Sequence, residues 1–302
     1  MYSFPKTILT IEKQIQAYKD ADLLIDSEET VKSALINIGY YRLRGYSYHL
    51  YNNSTKKYIP GTKFSDILSL YVFDRKLSKL LFDMLCRIEV SLRAKIVDSL
   101  ITYNDALILH SPDIFLDKEL FWTNNAKISS EILRSNDVFI QHNLKNYDGA
   151  IPLWATVEIL SYGTLSKIIK NLKTGPNTAF DLFADKFKYK SPGGKELKPS
   201  HSMITSWIHT TTILRNICAH NSRIYNRTIS TAPQLIKQDS ITPMPKRNGL
   251  YQIILAMKYL RSTDADWYEF TLNLENLIAE YSGIISLSRL NFPPDWKDHF
   301  EI

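Results

Sequence analysis

Cysteine, glycine and proline are all scarce in this chain of 302 residues. The two cysteines, Cys86 and Cys218, lie far apart and belong to no Cys/His cluster, which disfavours both a disulfide framework and a thiolate zinc site. Ten glycines, twelve prolines and the lack of a low-complexity tract disfavour collagen-like repeats, intrinsic disorder and a glycine-rich nucleotide-binding α/β fold. Little glycine with many Leu, Ile, Lys and Tyr residues instead indicates helices.

Long hydrophobic runs are also missing. No segment approaches the ~18 consecutive apolar residues that a membrane span requires, and residues 1–6 lack the apolar core of a signal peptide. The sequence therefore predicts a soluble cytoplasmic protein without membrane contact, and two free thiols are compatible with a reducing compartment.

Acidic residues are absent from residues 197–238, although an even spread of all 31 acids would place about four there. The same region carries five Lys or Arg residues and three of the seven histidines, within a chain of net charge +6. A local positive field for phosphate is one interpretation. A buried helix rich in Thr and Ile that excludes carboxylates is the other, and charge alone does not separate them.

Helical periodicity dominates the rest of the pattern. The longest periodic segment begins near Ser65 and continues to about Leu100, with apolar residues three and four apart. Ser27 and Gly39 bracket an earlier helix as N-cap and C′ residue, and Pro199-Ser200 introduces one over residues 201–219. Pro152 predicts the start of a helix that runs to Gly163, with another over residues 164–173.

These signals predict an all-α fold: a helical bundle with additional N-terminal and middle helices and at most a minor hairpin. Residues 1–64 are expected to form an N-terminal helical extension packed on a helical domain of residues 65–302, and the two together are expected to form one compact unit. An Asn248-Gly249 turn is expected before a helix over residues 250–260.

Two basic segments are candidate RNA contacts. Residues 40–48 interleave Tyr41, Arg42 and Arg44 with further tyrosines, and this mixture can stack bases and hold phosphates. The alternative is that these tyrosines cap a helical core. Residues 186–198 contain five lysines including Lys198, either as a loop that touches RNA or as an ordinary solvated loop.

Residues 214–223, Leu-Arg-Asn-Ile-Cys-Ala-His-Asn-Ser-Arg, carry the most information about chemistry. On a straight helix Arg215 and His220 would point about 140° apart, so a shared site needs a helix end between them or a second copy of the chain. Asn216 and His220 share a face, and Asn221 and Ser222 are residue types that end helices. A purely structural alternative is that Arg215 and His220 complement a helix C-terminus.

The motif Arg-Asn-x-x-Ala-His resembles the R-x(4-6)-H signature of HEPN ribonucleases, in which the first variable position is typically polar, as Asn216 is. The remaining chain resembles abortive-infection (Abi) proteins of the AbiD/AbiF type, which defend bacteria against phage. Supporting segments occur in order along nearly the whole chain: Ile38–Leu43 with Gly45-Tyr46, Leu70–Leu77, Ile88–Arg93, Pro152–Trp154 with Glu158 and Tyr162-Gly163, and Asn291–Pro293 with Trp296.

The resemblance implies a HEPN-like bundle and a metal-independent endoribonuclease toxin, in which two bundles of a homodimer line one cleft with their R-x4-H motifs. His220 would act as acid and base, because an imidazole exchanges a proton near neutral pH, and Arg215 would hold the phosphate. Asn216 would orient His220 or the phosphate. Arg223, Asn226 and Arg227 would hold the flanking RNA backbone.

RNA is the implied substrate, and relatives in this family are linked to small noncoding RNAs that act as antitoxins. A metal ion is not expected, because Mg²⁺ requires carboxylates and none lies near the motif in sequence. No cofactor and no DNA partner are expected either. Two other functions stay open. The same fold could hold RNA or a nucleotide without turnover, with the motif as a phosphate clamp, or it could be an interaction scaffold in which His220 is structural.

Overall fold

The computed structural model describes residues 7–191, 193–239 and 249–302, and in this part of the chain the fold is all-α, as predicted. Pro192, Asn248 and residues 1–6 lie outside the described residues. Twelve α-helices occur in the described part, which we number in chain order: α1 (Ile11–Asp20), α2 (Glu28–Asn37), α3 (Tyr40–Ser47), α4 (Phe64–Leu100), α5 (Lys118–Arg134), α6 (Val138–Asn146), α7 (Leu153–Ile159), α8 (Tyr162–Lys170), α9 (Ala179–Ala184), α10 (His201–Ala219), α11 (Leu250–Leu260) and α12 (Asp264–Glu280).

Two antiparallel hairpins of two-residue strands complete the described elements. Strand β1 (Tyr51–Asn52) pairs with β2 (Lys57–Tyr58), and β3 (Tyr189–Lys190) pairs with β4 (Glu196–Leu197). The predicted lysine-rich segment, residues 186–198, includes both strands of the second hairpin. The described residues therefore contain two small hairpins where the sequence predicted at most one.

Helix α4 is the central element of the fold. Its 37 residues span about 55 Å at 1.5 Å per residue, so it runs the length of the bundle. Its apolar stripe is buried because α3, α7, α8, α9, α10, α11 and α12 all pack against it. Residues of this stripe with no exposed surface are Ile67, Phe73, Leu77, Leu81, Leu85, Ile88, Leu92 and Ile96.

Helix α10 has the predicted bounds and lies between α4, α8 and α11. The Ser200 hydroxyl caps it by accepting a hydrogen bond from the Met203 backbone N–H. Trp207 and Leu214 lie on its buried face, where Trp207 stacks on Tyr259 of α11 with ring centroids 5.1 Å apart. Packing on three sides holds the end of α10, which carries the Arg-x4-His motif, at one end of the bundle.

Helix α3 packs against α4, where the Tyr46 and Tyr71 rings meet edge to face, and α1 packs against α2. The Ser27 side chain caps α2, and Gly39 has a φ of 93° at the C′ position, so both predicted ends of this helix are confirmed. The chain then enters α3, where Tyr46 is buried and Tyr41 is 93% exposed. Residues 40–48 thus serve partly as core and partly as surface: Tyr46 fits the core interpretation, and RNA contact by Tyr41 stays a prediction.

The predicted helix from Pro152 to Gly163 is wrong at its end. Helix α7 stops at Ile159, and α8 begins at Tyr162 with Ser161 as its N-cap. The break is stabilised from outside, because Arg93 of α4 donates hydrogen bonds to the carbonyls of Val157 and Leu160. Glu131 of α5 also accepts from Ser161. These long-range partners replace helical hydrogen bonds, and a local pattern cannot reveal them.

Candidate functional site

Helix α10 ends directly after the motif. Ala219 is its last residue and His220 is the C-cap. The Asn221 N–H donates to the Cys218 carbonyl at 3.0 Å, and the Ser222 N–H donates to the Ile217 carbonyl at 2.9 Å. This pair of bonds is a Schellman motif, which satisfies carbonyls that a helix end would otherwise leave unpaired. The helix end that the types of Asn221 and Ser222 predicted is thereby confirmed.

Asn221 turns the chain away from the helix. Its φ of 51° lies in the left-handed region, which asparagine tolerates better than most residues. Two arginines hold it: Arg42 of α3 donates to its backbone carbonyl at 2.7 Å, and Arg75 of α4 donates to its side-chain Oδ1 at 3.2 Å. Asn221 is therefore needed for the geometry of the turn and for its attachment to two other helices.

Asp74 of α4 holds the segment that follows this turn. Its fully buried carboxylate accepts hydrogen bonds from the backbone N–H groups of Ile224 and Tyr225, at 3.0 and 2.6 Å. The Tyr46 hydroxyl donates to the same carboxylate at 2.7 Å, and Arg75 forms an ion pair with it at 2.7 Å. One acidic side chain therefore joins α3, α4 and the chain after α10.

Arg215, near the end of α10, points toward α4. Its Nε lies 3.4 Å from Glu89 Oε2, an ion pair whose angle does not make a hydrogen bond, and its guanidinium lies 5.8 Å from the centroid of the Phe82 ring. Glu89 is buried and is also paired with Arg93, four residues further along the same helix. One carboxylate therefore serves two guanidinium groups, and the cluster keeps a positive charge.

His220 and Asn216 lie on the exposed side of α10. The His220 N–H donates to the Asn216 carbonyl at 3.0 Å, while among the described residues no side-chain hydrogen bond joins the two. Residues 215–219 are all helical, and the chain leaves the helical path only after His220. Arg215 and His220 therefore keep the wide angular separation of a straight helix, and within the described chain no hydrogen bond or ion pair joins their side chains.

A cavity of about 520 Å³ lies beside the end of α10, between α3 and the segment after the turn. None of its ten described lining residues is acidic, and in the described part of the chain no carboxylate forms an ion pair with its arginines. Neutral groups hold these arginines: Arg44 donates to the Tyr58 hydroxyl at 3.0 Å and Arg223 to the Tyr225 carbonyl at 2.8 Å. The lining residues are Tyr41, Arg42, Arg44, Gly45, Tyr46, Tyr48, Asn221, Ser222, Arg223 and Arg227. We call this cavity the arginine pocket.

Five of the seven predicted RNA-binding residues line the arginine pocket: Tyr41, Arg42, Arg44, Arg223 and Arg227. Asn226 is adjacent, since its carbonyl accepts a hydrogen bond from Arg223 at 3.3 Å. Lys198 lies elsewhere, before the start of α10, where its ammonium forms ion pairs with Asp181 at 2.8 Å and Asp185 at 3.0 Å. Two sequence regions about 180 residues apart thus form one basic surface, and Lys198 is not part of it.

The pKa of His49, which follows α3, is affected by positive charges near this pocket. Burial, together with the positive charges of Arg289 and Arg223, lowers the pKa of His49 to about 4. Its ring packs edge-on against Tyr225, with centroids 5.7 Å apart. The imidazole is therefore neutral at physiological pH, inside a region where positive charge is already concentrated.

The pKa of His49 predicts a loss of stability in mild acid. Between pH 6.5 and about 4 the unfolded chain binds a proton at this residue that the folded chain excludes, so stability falls as the pH falls through this window. We expect the thermal midpoint to decrease less steeply in His49→Asn than in the wild type, measured by circular dichroism from pH 7 to 4.5. Parallel curves for the two proteins would contradict this assignment.

The residues of α4 that support the motif were not predicted as site residues from the sequence. Asp74, Arg75 and Glu89 interrupt the apolar stripe of α4, and this interruption was the available signal. Glu89 and Arg93 pair with each other at i,i+4 spacing. The contacts of Asp74 and Arg75 with residues 221–225 depend on tertiary packing, which the pattern along one helix does not encode.

Within residues 7–191, 193–239 and 249–302 there is no group of three His, Cys, Asp or Glu side chains placed to hold a metal ion. In the same described part, no helix combines the length and the apolar character that crossing a membrane requires.

Comparison with known proteins identifies one family. No curated protein and no solved structure matches the chain. The family model for Abi-like proteins matches residues 33–226, more than half of the chain, from α2 through α3, α4 and α10 to the segment after the motif. The match therefore includes Asp74, Glu89 and nearly all of the arginine pocket. The chain belongs to the family of Abi-like proteins, which associates it with abortive infection, a defence against phage.

Proposed function

We propose that this chain is a phage-defence toxin of the AbiD/AbiF type, a metal-independent endoribonuclease of the HEPN superfamily that acts as a cytoplasmic homodimer. One observation carries the proposal: His220, exposed at the end of α10, immediately precedes Asn221, which lines a pocket of four arginines without an acidic lining residue. A proton-transfer group and a site for a polyanion therefore lie side by side.

The chemistry requires few protein groups because RNA carries its own nucleophile. A base removes the proton of the 2′-hydroxyl, and the 2′-oxygen then attacks the adjacent phosphorus. The bond from phosphorus to the 5′-oxygen breaks, and an acid protonates that oxygen. The products are a 2′,3′-cyclic phosphate and a 5′-hydroxyl. His220 supplies the proton transfers, Arg215 compensates the charge that develops on the phosphate, and Asn216 orients His220 or the phosphate.

The arginine pocket binds the RNA next to the reacting phosphate. Arg42, Arg223 and Arg227 contact backbone phosphates, because guanidinium groups held only by carbonyls keep their full charge for an anion. Tyr41 offers an exposed ring on which a base can stack. The volume of about 520 Å³ is adequate for a nucleotide of the strand.

The orientation of Arg215 supports a dimeric site. Because α10 is helical from Arg215 to Ala219, the guanidinium and the His220 imidazole point to different sides of one chain. A second copy packed against this end of the bundle would bring its own Arg215 and His220 to the same phosphate. Activity would then depend on dimerisation, and a noncoding RNA that occupies the arginine pocket would hold the toxin inactive.

The experiment that tests this function is incubation of the purified protein with total tRNA and with a generic single-stranded RNA in EDTA, followed by analysis of the product ends. Cyclic-phosphate ends support a metal-independent ribonuclease. Cleavage that stops in EDTA and returns with Mg²⁺ would contradict the mechanism. The same samples run at increasing protein concentration show whether activity follows the dimer.

A non-catalytic clamp for RNA or a nucleotide is the second candidate. This function is favoured because the arginine pocket lies beside His220 and does not enclose it. Neither His220 nor Arg215 is among the lining residues. A clamp predicts tight RNA binding with intact RNA after prolonged incubation. It also predicts that loss of charge at Arg215 weakens binding more than loss of the imidazole at His220.

Removing arginines from the arginine pocket should weaken RNA binding and make the affinity less dependent on salt concentration. For the double variant Arg42→Gln with Arg227→Gln we expect a lower affinity for RNA. The slope of log K against log salt concentration should also be less steep by about 1.4, because each lost phosphate contact changes the slope for single strands by about 0.7. Fluorescence anisotropy from 50 to 300 mM salt measures this slope. The exposed Arg134 of α5 gives the control Arg134→Gln, and an equal change there would exclude a specific role for the pocket.

A further inference from the structure

A second cavity, of about 600 Å³, lies far from the motif. It is bounded by the last turns of α4, the β3–β4 hairpin, the end of α11 and the beginning of α12. The two cavities share no lining residue. The Tyr259 ring in the wall of the second cavity stacks on Trp207 of α10, which lies about 20 Å along the helix from His220 at the motif. We call this second cavity the lysine pocket.

Cations outnumber acids two to one in the described lining of the lysine pocket. Four of the cations have carboxylate partners: Lys186 pairs with Asp98, Lys188 with Asp185 and Glu196, Lys258 with Asp239, and Arg261 with Asp264. Lys95 and Lys190 form no ion pair within the described part of the chain. The charged residues of the lining are Lys95, Lys186, Lys188, Lys190, Lys258, Arg261, Glu196, Asp264 and Glu301.

Lys95 gives the strongest indication that the lysine pocket binds an anion. Its ammonium donates to the Arg261 carbonyl at 3.3 Å and lies 4.8 Å from the centroid of the Phe187 ring. Burial, with Arg261 and Lys186 as neighbouring cations, lowers the pKa of Lys95 to about 8. A largely desolvated ammonium without a counter-charge is costly, and an anion in the cavity would remove that cost.

Aromatic side chains form another part of the wall. The rings of Tyr189 and Tyr259 pack edge to face with centroids 5.8 Å apart, and Phe187 lies under Lys95. Ser262 and Thr263 add hydroxyl groups. Ammonium groups beside aromatic rings are suited to a ligand with both a phosphate and a planar base, and the volume is in the range of small-molecule sites.

We propose that the lysine pocket binds a nucleoside polyphosphate, with Lys95 and Lys190 contacting the phosphates and the tyrosine wall contacting the base. This site is independent of the proposed ribonuclease site, and it stands or fails separately. Its position between α4, α11 and the β3–β4 hairpin means that a bound ligand joins three segments that are distant in sequence.

Binding is tested on the full chain with ADP, inorganic pyrophosphate and adenosine as probes, by calorimetric titration and thermal unfolding. At a concentration tenfold above its Kd, ADP should raise the wild-type Tm by about 2 °C. Pyrophosphate should bind more weakly than ADP, and adenosine more weakly still. Lys95→Met should lower ADP affinity about 10- to 100-fold, because it removes a charge-assisted contact. The matched control is Lys79→Met, which changes an exposed lysine of the same helix.

The pH dependence gives an independent readout. Lys95 loses its proton above about pH 8, so wild-type affinity for ADP should fall from pH 7 to 9. The other charged groups near its ammonium are Arg261, paired with Asp264, and Lys186, paired with Asp98. Lys95→Met should show a flatter profile, and Lys95→Arg should bind at both pH values.

Two results would overturn the proposal. One is a wild-type protein whose Tm and calorimetric titration do not respond to ADP or pyrophosphate at millimolar concentration. The other is equal ADP affinity in the wild type and Lys95→Met. If Lys95→Met weakened binding of RNA while ADP bound neither protein, the pocket would serve an RNA strand and the nucleotide assignment would be wrong. The unliganded Lys95→Met should fold normally, since it loses an unpaired cation.

Discussion

His220→Ala is expected to lower the rate of RNA cleavage by about 10²- to 10⁴-fold, the usual contribution of a general acid–base group. The free energy of unfolding should change by less than about 0.5 kcal/mol, because the His220 side chain is exposed and the Schellman motif uses only backbone groups. RNA affinity should be retained, since the arginine pocket is unchanged. Single-turnover cleavage, anisotropy and thermal unfolding measure the three quantities.

The matched control is His209→Ala. His209 is an exposed histidine of the same helix, three turns before His220, and its loss should leave cleavage unchanged. If His220→Ala left cleavage intact, the proposed mechanism would be wrong. If it lowered the thermal midpoint without any change in cleavage or binding, His220 would have a structural role, as expected of an interaction scaffold. If Arg215→Ala had the larger effect on binding, the phosphate clamp would be the better description.

Asp74→Asn is expected to cause the largest loss of stability. The substitution removes the negative charge between Arg75 and two backbone N–H groups, and removing one partner of a buried ion pair typically costs about 3–5 kcal/mol. Folded proteins have a net stability of only about 5–15 kcal/mol, so a large share of the total would be lost. Urea unfolding followed by circular dichroism gives the difference.

Two neighbouring substitutions separate the charge of Asp74 from its other contacts. Tyr46→Phe removes a single hydrogen bond to the carboxylate and should cost about 1 kcal/mol. Asp83→Asn changes an exposed aspartate of α4 and should cost less than about 0.5 kcal/mol. A loss below 1 kcal/mol in Asp74→Asn would show that residues 222–225 keep their position without this carboxylate. RNA cleavage by Asp74→Asn should also fall, because the turn after His220 loses its attachment to α4.

Local signals predicted most of the fold. Ser27 and Gly39 bracket α2, Ser200 opens α10, and the apolar stripe from Ile67 to Ile96 defines α4, because caps and periodicity act within a few residues of the chain. The break between α7 and α8 was missed because its stabilising partners, Arg93 and Glu131, come from other helices. Secondary structure that depends on tertiary hydrogen bonds is not visible in a local pattern.

The candidate site was predicted as residue types and not as geometry. The motif and the two basic segments were identified from composition and spacing, and the structure joins residues 41–48 with residues 221–227. Lys198 was included because of charge in its neighbourhood, yet its two aspartate partners, Asp181 and Asp185, neutralise it. The role of Asp74 could not be predicted, because its partners Ile224 and Tyr225 are 150 residues away or more.

The long separation in sequence between these partners also affects when the site assembles during translation. The turn after His220 is held by Arg42 and Asp74, which emerge from the ribosome early, but α10 also packs against α11, which emerges after the motif. At about 5–20 residues per second, the first half of the chain waits many seconds for the rest. The candidate site is therefore among the last parts to assemble. A nascent chain surrounded by ribosomal and messenger RNA would therefore lack the geometry that the proposed RNA cleavage requires.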